Sequence, residues 1–251
     1  MSSPDALPIP PWSAARERRT GASIKAPLTR DAIVEAALAL LDAEGLEGVS
    51  MRRVAERLAT GPASLYQHVG GKDELLELVL DRVCADVDIP APGVGPDGWQ
   101  APLKELLRSV RTVLGAHRDL AYVMLGHIPT GPNALAGAEG MLRIMRAGDV
   151  PEAVAAYACD SLMLFITAVT YEEAIRSRLI GTVDEAKEYV EGVHRYFASL
   201  PADRFPTLVA MAGHLTAFDE DEDDRFEFAL DVQIRGIAAL AAERRDDVRP
   251  R

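Results

Sequence analysis

Paired cysteines, an excess of positive charge and an uninterrupted apolar run are all missing from this chain, and each absence removes a class of protein. Its two cysteines, Cys84 and Cys159, lack the paired spacing of a zinc site or a disulfide framework. That usage points to a reducing, intracellular setting. The N-terminus is proline-rich and has no continuous apolar stretch of the kind a secretory leader needs, so a cytoplasmic location is expected. The most apolar stretch, 153–171, carries Asp160 near its middle, where a carboxylate would be costly in a bilayer. It reads as a buried core helix. The net charge of −12 argues against a protein that coats nucleic acid or anionic membrane indiscriminately.

Signatures of catalysis and of bound groups are equally scarce. The five histidines form no His-Glu-x-x-His pair, and there is neither a Gly-x-Ser-x-Gly elbow nor a Walker loop. No enzyme, metal or cofactor is therefore expected. Gly93, Gly95 and Gly98 make a literal Gly-x-Gly-x-x-Gly, but they lie in a proline-rich linker, 89–98, with no strand before them, and the dinucleotide reading fails. The acidic run 219–224 lacks the glycine and the final glutamate of a calcium loop, with Leu230 where the glutamate belongs. It reads as a solvated start to the last helix.

What is present is helical periodicity and an uneven distribution of charge. Residues 1–60 hold eight basic and eight acidic side chains, whereas 83–251 hold seventeen against twenty-seven. An acidic body with a neutral, locally basic head can offer only the head to DNA. Residues 1–28, with five prolines and a cluster at Arg16, Arg18 and Arg19, read as a flexible arm. From Thr29 the period is that of a helix: Ile33, Ala37, Leu40 and Leu41 share one face, Thr29 caps the start and Gly45 ends it. A shorter helix follows Ser50 as N-cap, with Met51, Val54, Ala55 and Leu58 on one face and Val49 and Val54 spaced as a hydrophobic staple. A third starts at Pro62 and runs through Leu65 and Val69 to the Gly70-Gly71 break, and a fourth from Lys72 carries Leu75, Leu76, Val79, Leu80 and Val83.

Two short helices joined by a tight turn, the second opening on small and polar residues, fit insertion into a major groove. The run over 28–83, above all Leu65-Tyr66-x-His68-Val69 followed by Lys72-x-x-Leu75-Leu76, resembles the DNA-binding domain of the tetracycline-repressor-like (TetR) family. Trp99 and the segment 226–236 are similar to the C-terminal domain of the tetracycline repressor subclass. The resemblance implies that Pro62, Ala63, Ser64 and Gln67 lie in the groove, that Arg52 reaches a base or phosphate, and that Ser50, Tyr66, His68 and Lys72 hold the DNA backbone. Lys72 carries a cation at a helix N-terminus, which the macrodipole disfavours unless a phosphate binds there too. Ala59 and Thr60 stand where the family usually has Gly then Val, Gly70 replaces a common Lys, and Gln67 replaces a bulky aromatic, so the operator sequence does not follow by analogy.

Further helices are expected at 99–116, 133–148, 151–178, 183–200 and 223–245, with Pro132 and Pro151 at helix starts and Thr182 with Glu185 as a capping box. No segment shows sustained strand alternation. The expected fold is all-α: an arm at 1–28, a helix-turn-helix head at 29–82 and a helical body for effector binding and dimerisation at 83–251. In the body His117, Tyr122, Met124, His127, Met141, Met145, Phe165 and Tyr171 are candidates for an adaptable apolar pocket, with Asp160 as its polar member. Each of them also suits core packing. The last helix is apolar on more than one face, and Phe226, Leu230, Ile234 and Ile237 are expected to face a second copy, jointly with the helix from Pro151. The expected function is a dimeric repressor that a small molecule releases from a palindromic operator. An effector-independent DNA-binding dimer and a helical enzyme with a borrowed head are the alternatives.

Overall fold

The computed structural model describes residues 27–93, 95, 97–126, 130–179, 182–216 and 222–247. Residues 1–26 of the expected arm, His127 of the expected pocket and 217–221 of the acidic run and its approach lie outside them. Among the described residues there are eleven α-helices and no strand.

The head is α1 (Arg30–Glu44), α2 (Met51–Arg57) and α3 (Pro62–Leu65), followed by α4 (Lys72–Cys84). Its stops and starts are those the sequence dictates. The Thr29 side chain accepts from the Ala32 N–H at the start of α1, and Gly45, at φ 77°, ends it in a backbone region that only glycine enters freely. Ser50 caps α2 by accepting from the Arg53 N–H, and both staple residues, Val49 and Val54, are buried. Ile33, Ala37, Leu41, Leu65 and Leu75 are fully buried in one apolar cluster. Each large side chain in it contributes roughly 1.5 to 3 kcal/mol relative to exposure.

The C-terminus of α2 shows why a glycine is usual in this turn. Ala59 donates to the Glu56 carbonyl (3.0 Å) and Thr60 to the Ala55 carbonyl (2.9 Å), the paired bonds of a Schellman motif. Ala59 consequently sits at φ 48°, in the left-handed region. A Cβ there costs about 1 kcal/mol, so the departure from glycine is tolerated rather than favoured.

The body is α5 (Gln100–Gly115), α6 (Leu120–Leu125), α7 (Pro132–Ala147), α8 (Glu152–Leu179), α9 (Val183–Ala198), α10 (Pro206–Leu215) and α11 (Glu222–Asp247). At its centre α8 packs on α5, α6, α7 and α11, with Leu162 and Ile166 fully buried. It is the one described helix long and apolar enough to cross a membrane, and those contacts cover one face of it. Trp99 is buried against Gly148, where any side chain would collide with its ring. The Thr182–Glu185 capping box is present at the start of α9, both bonds formed. Helices α9 and α10 pack on each other and on no other helix to a comparable extent.

Candidate DNA-binding face and body cavity

The head sorts its side chains by what the turn does to them. Leu65 and Val69 point into the core and hold α3 on the rest of the head. Pro62, Ala63 and Gln67 are exposed, Tyr66 keeps 55% of its surface open to solvent, and Ser64 and His68 are half-buried beside them. Arg52 is exposed one helix away, its guanidinium 3.6 Å from Glu56. The α-helical part of α3 is a single turn; the chain continues from Tyr66 to His68 in turn conformation, with the His68 N–H bonded to the Leu65 carbonyl (2.9 Å). Small residues at its leading end let its backbone approach a base edge, and Gln67 carries the paired donor and acceptor that suit adenine.

Lys72 is placed differently from the expectation built on the macrodipole. Its ammonium donates to the Leu46 carbonyl (3.2 Å), in the short 3-10 turn after α1. That bond, with Asp73 and Glu74 in the same first turn, offsets the unfavourable helix end without any phosphate. Two of its three protons are unused by that bond and can meet a phosphate oxygen.

The body grips the other side of the same residue. Asp119, immediately before α6, accepts from the Leu46 N–H (2.9 Å) and pairs with Arg178 near the end of α8. Burial alone would raise the Asp119 carboxyl, but the Leu46 N–H and the guanidiniums of Arg178 and Arg118 outweigh it and hold it below its usual range. A second contact pairs His117 with Asp42 of α1 at 3.1 Å, and within the head Arg82 of α4 bonds Glu35 of α1 at 2.8 Å. His117 is thus a junction residue and not a pocket residue.

A partly open apolar cavity of about 140 Å³ lies among α4, α5, α6, α7 and α8. Cys84, Val110, Met124, Asn133, Met141 and Met163 represent the five helices in its wall. Met124 and Met141 are where the sequence put them, and Met163 joins them. Other candidates go elsewhere: Met145 is fully buried in the core, Phe165 stacks on Phe226 with centroids 6.2 Å apart, and exposed Tyr122 leans on Tyr171 at 5.3 Å. Asp160 is exposed, on the side of α8 that carries Tyr157 and Leu164, and does not line the cavity. Its carboxylate is therefore neither buried nor in need of a ligand. The polar side chain of the wall is instead Asn133, and the thiol of Cys84 is pushed up to about 11, chiefly by burial and further by the Asp81 carboxylate. Such a thiol stays protonated and packs as an apolar group.

The expected interface residues of α11 also need correction. Phe226, Leu230, Ile234 and Ile237 are buried inside their own chain, Phe226 to 2% exposure, whereas Phe228 is 72% exposed and Val232 and Leu240 are open beside it. Both stripes are apolar, and two ion pairs mark which of them faces inward. Glu227 takes a bidentate pair from Arg108 of α5 (2.6 and 2.7 Å), and Asp231 pairs with Lys104 one turn earlier. The matched four-residue spacing of Lys104 and Arg108 with Glu227 and Asp231 is the signal that could have identified the inward face. The Glu227 and Asp231 carboxyls are held below their usual range, first by those hydrogen bonds.

Comparison with known proteins agrees with this arrangement over both parts of the chain. Residues 33–79 match the family "Bacterial regulatory proteins, tetR family", and 90–241 match "Tetracyclin repressor-like, C-terminal domain". The chain is 35% identical over 236 residues to the HTH-type transcriptional repressor DrrR1 of Streptomyces coeruleorubidus, covering 93% of this chain and 86% of that one. Among solved structures it superposes on apo ActR of Streptomyces coelicolor with a TM-score of 0.77 at 44% identity, covering 87% of this chain and 98% of the other. ActR in complex with actinorhodin gives a TM-score of 0.79 at the same identity, covering 87% and 99%. An exposed small-and-polar recognition turn, a helical body behind it and matches across both regions lead to one conclusion: this chain belongs to the TetR family and is a DNA-binding transcriptional regulator.

Proposed function

We propose that the protein is a homodimeric repressor, cytoplasmic, which a small and largely apolar molecule releases from a near-palindromic operator. The head, 29–82, supplies the DNA contacts and the body, 83–251, supplies dimerisation and ligand binding. Pro62, Ala63, Ser64 and Gln67 enter the groove, Arg52 reaches a base or phosphate, and Ser50, Tyr66, His68 and Lys72 steady the backbone. The observation that carries this reading is the apolar cavity walled on one side by α4, the helix that starts in the head. A ligand seated there presses directly on the helix that packs against α1 of the head.

Support for the dimer comes from an apolar surface with no use in a single chain. Tyr157 and Leu164 of α8 and Phe228, Val232 and Leu240 of α11 lie open along two adjacent helices, and a groove runs between them. Two copies related by a two-fold axis would close it as a four-helix interface, with recognition helices about 34 to 36 Å apart on the DNA. Ligand binding gains support from ActR, solved with actinorhodin and with (S)-DNPA.

The test is selection of bound sequences from a random duplex pool, followed by operator titration with and without each hit of a thermal-shift ligand screen. A palindrome with half-sites one helical turn apart, and hits that weaken its binding, are the expected results. Hits that stabilise the protein and leave operator affinity unchanged would favour the effector-independent dimer instead.

A further inference from the structure

Helix α7 has no capping side chain of its own. Gly131 precedes it, Pro132 occupies its first position, and no side chain from its own N-cap satisfies the free N–H groups of its first turn. The cap comes from another helix. The Asp81 carboxylate of α4 accepts from the Asn133 N–H (2.9 Å) and the Ala134 N–H (3.0 Å) through one oxygen, and from the Asn133 side-chain amide (3.0 Å) through the other. The same amide nitrogen donates to the Asp81 backbone carbonyl at 3.1 Å, so both of its protons are in use.

Gly131 shows independently how tight this contact is. Its φ of −69° suits any residue, yet a Cβ there would sit inside the Asp81 carboxylate. A glycine is needed for the approach of α4 and not for the turn.

The position of this contact gives it a second significance. Cys84, one turn after Asp81 on α4, lines the cavity; so do Asn133 and Ala134, the two residues that Asp81 caps. The wall of the cavity and the bond between head helix and body are made of the same two helical turns. In an otherwise apolar wall, the Asn133 amide is the group best suited to donate to a ligand.

We infer that Asn133 is a specificity-determining residue for an effector bearing a hydrogen-bond acceptor, and that Asp81 is the positioning residue through which its occupancy reaches the head. This rests on the ligand-released reading above. A ligand oxygen that takes an Asn133 proton must take it from Asp81 or from the Asp81 carbonyl. That loosens the cap, frees α4 from the start of α7 and lets it shift against α1, on which the rest of the head is built. An apolar molecule with no acceptor can fill the cavity without opening the contact.

The experiment uses the full chain, a selected operator and (S)-DNPA as the probe. Asp81→Ala is expected to weaken operator binding without any ligand by about five-fold or more, the low end of ordinary coupling between sites. Gly131→Ala, which drives a methyl into an intact carboxylate, is expected to act in the same direction, and circular dichroism checks that both variants are folded. In Asn133→Leu, of similar shape but without donors, the ratio of operator Kd with and without (S)-DNPA is expected to fall close to one. A merely structural role for these residues would lower the Tm and leave that ratio as in the wild type. Wild-type operator affinity in both folded Asp81→Ala and Gly131→Ala would overturn the role of Asp81, and an unchanged ratio in Asn133→Leu would overturn that of Asn133. Failure of (S)-DNPA to release even the wild type would count against ligand release itself, and Asp81 would still be judged by the ligand-free arm.

Discussion

The head and the body are both helical and both apolar inside, yet they fix the role of a side chain by different means. In the head a few residues decide everything within one or two turns: Ser50 starts α2, Ala59 ends it, Pro62 starts α3, and Tyr66 and Gln67 are left outward because Leu65 and Val69 must go in. In the body α8 and α11 have more apolar surface than one core can cover. Which stripe is buried depends on partners far away in sequence, such as Arg108 for Glu227. Local rules suffice where a helix is short and one-sided, and they fail where it is long and apolar on two sides.

The largest losses of function are expected from changes on the exposed face of the head. Arg52→Ala with Tyr66→Ala should cost about 1 to 3 kcal/mol of DNA binding per contact, roughly a hundred-fold together, with the Tm unchanged. Fluorescence anisotropy on a selected operator measures it, and equal binding by the double variant would mean that this face is not the DNA-binding one. The two stripes of α11 should separate next. Leu230→Ala, fully buried, should cost about 2 to 5 kcal/mol in denaturant unfolding. Phe228→Glu, on the open stripe, should leave the fold intact and shift sedimentation toward the monomer. If Leu230→Ala dissociates the dimer and Phe228→Glu does not, the two faces have been assigned the wrong way round.

Smaller effects test the charges and the turn. Because the carboxyls of Glu227 and Asp231 are held below their usual range, the stability they lend is complete above the ordinary carboxylate pKa. It is lost as the pH falls through their lowered values. The Tm should therefore fall below about pH 4.3, and Arg108→Gln should flatten part of that fall while costing less than about 1 kcal/mol at neutral pH, since the pair is partly exposed. A Tm that rises on acidification would contradict this sign. Last, Ala59→Gly should relieve the left-handed alanine and change stability by only about 0.5 kcal/mol in the favourable direction, because the glycine also loosens the unfolded chain. A clear loss of stability in this variant would show that the strain is not there.

The same contrast explains what could be read from the sequence. The caps at Thr29, Ser50 and Thr182, the Val49–Val54 staple and the buried faces of α1 and α4 followed from spacing alone, because each depends on residues within a turn or two. The body helices were legible to within a residue or two except α6 and α10. The first is only six residues long, and the second, announced by Pro206, has apolar residues with little periodicity. Met124 and Met141 were found for the cavity, but Asn133 was not, since an asparagine near a helix start looks like any other turn residue. Asp160 misled because a carboxylate in an apolar run implies burial only if the whole run is buried, and one face of α8 is open.

The α9–α10 hairpin carries a consequence for kinetics. Its helices lean mainly on each other, and none of the side chains described in α9 is fully enclosed. Opening it exposes little that was hidden, so its free energy of opening lies well under that of the whole molecule. In amide exchange its backbone N–H groups should trade with solvent by a local route, while those of Leu162 and Ile166, on the central helix of the body, wait for global unfolding.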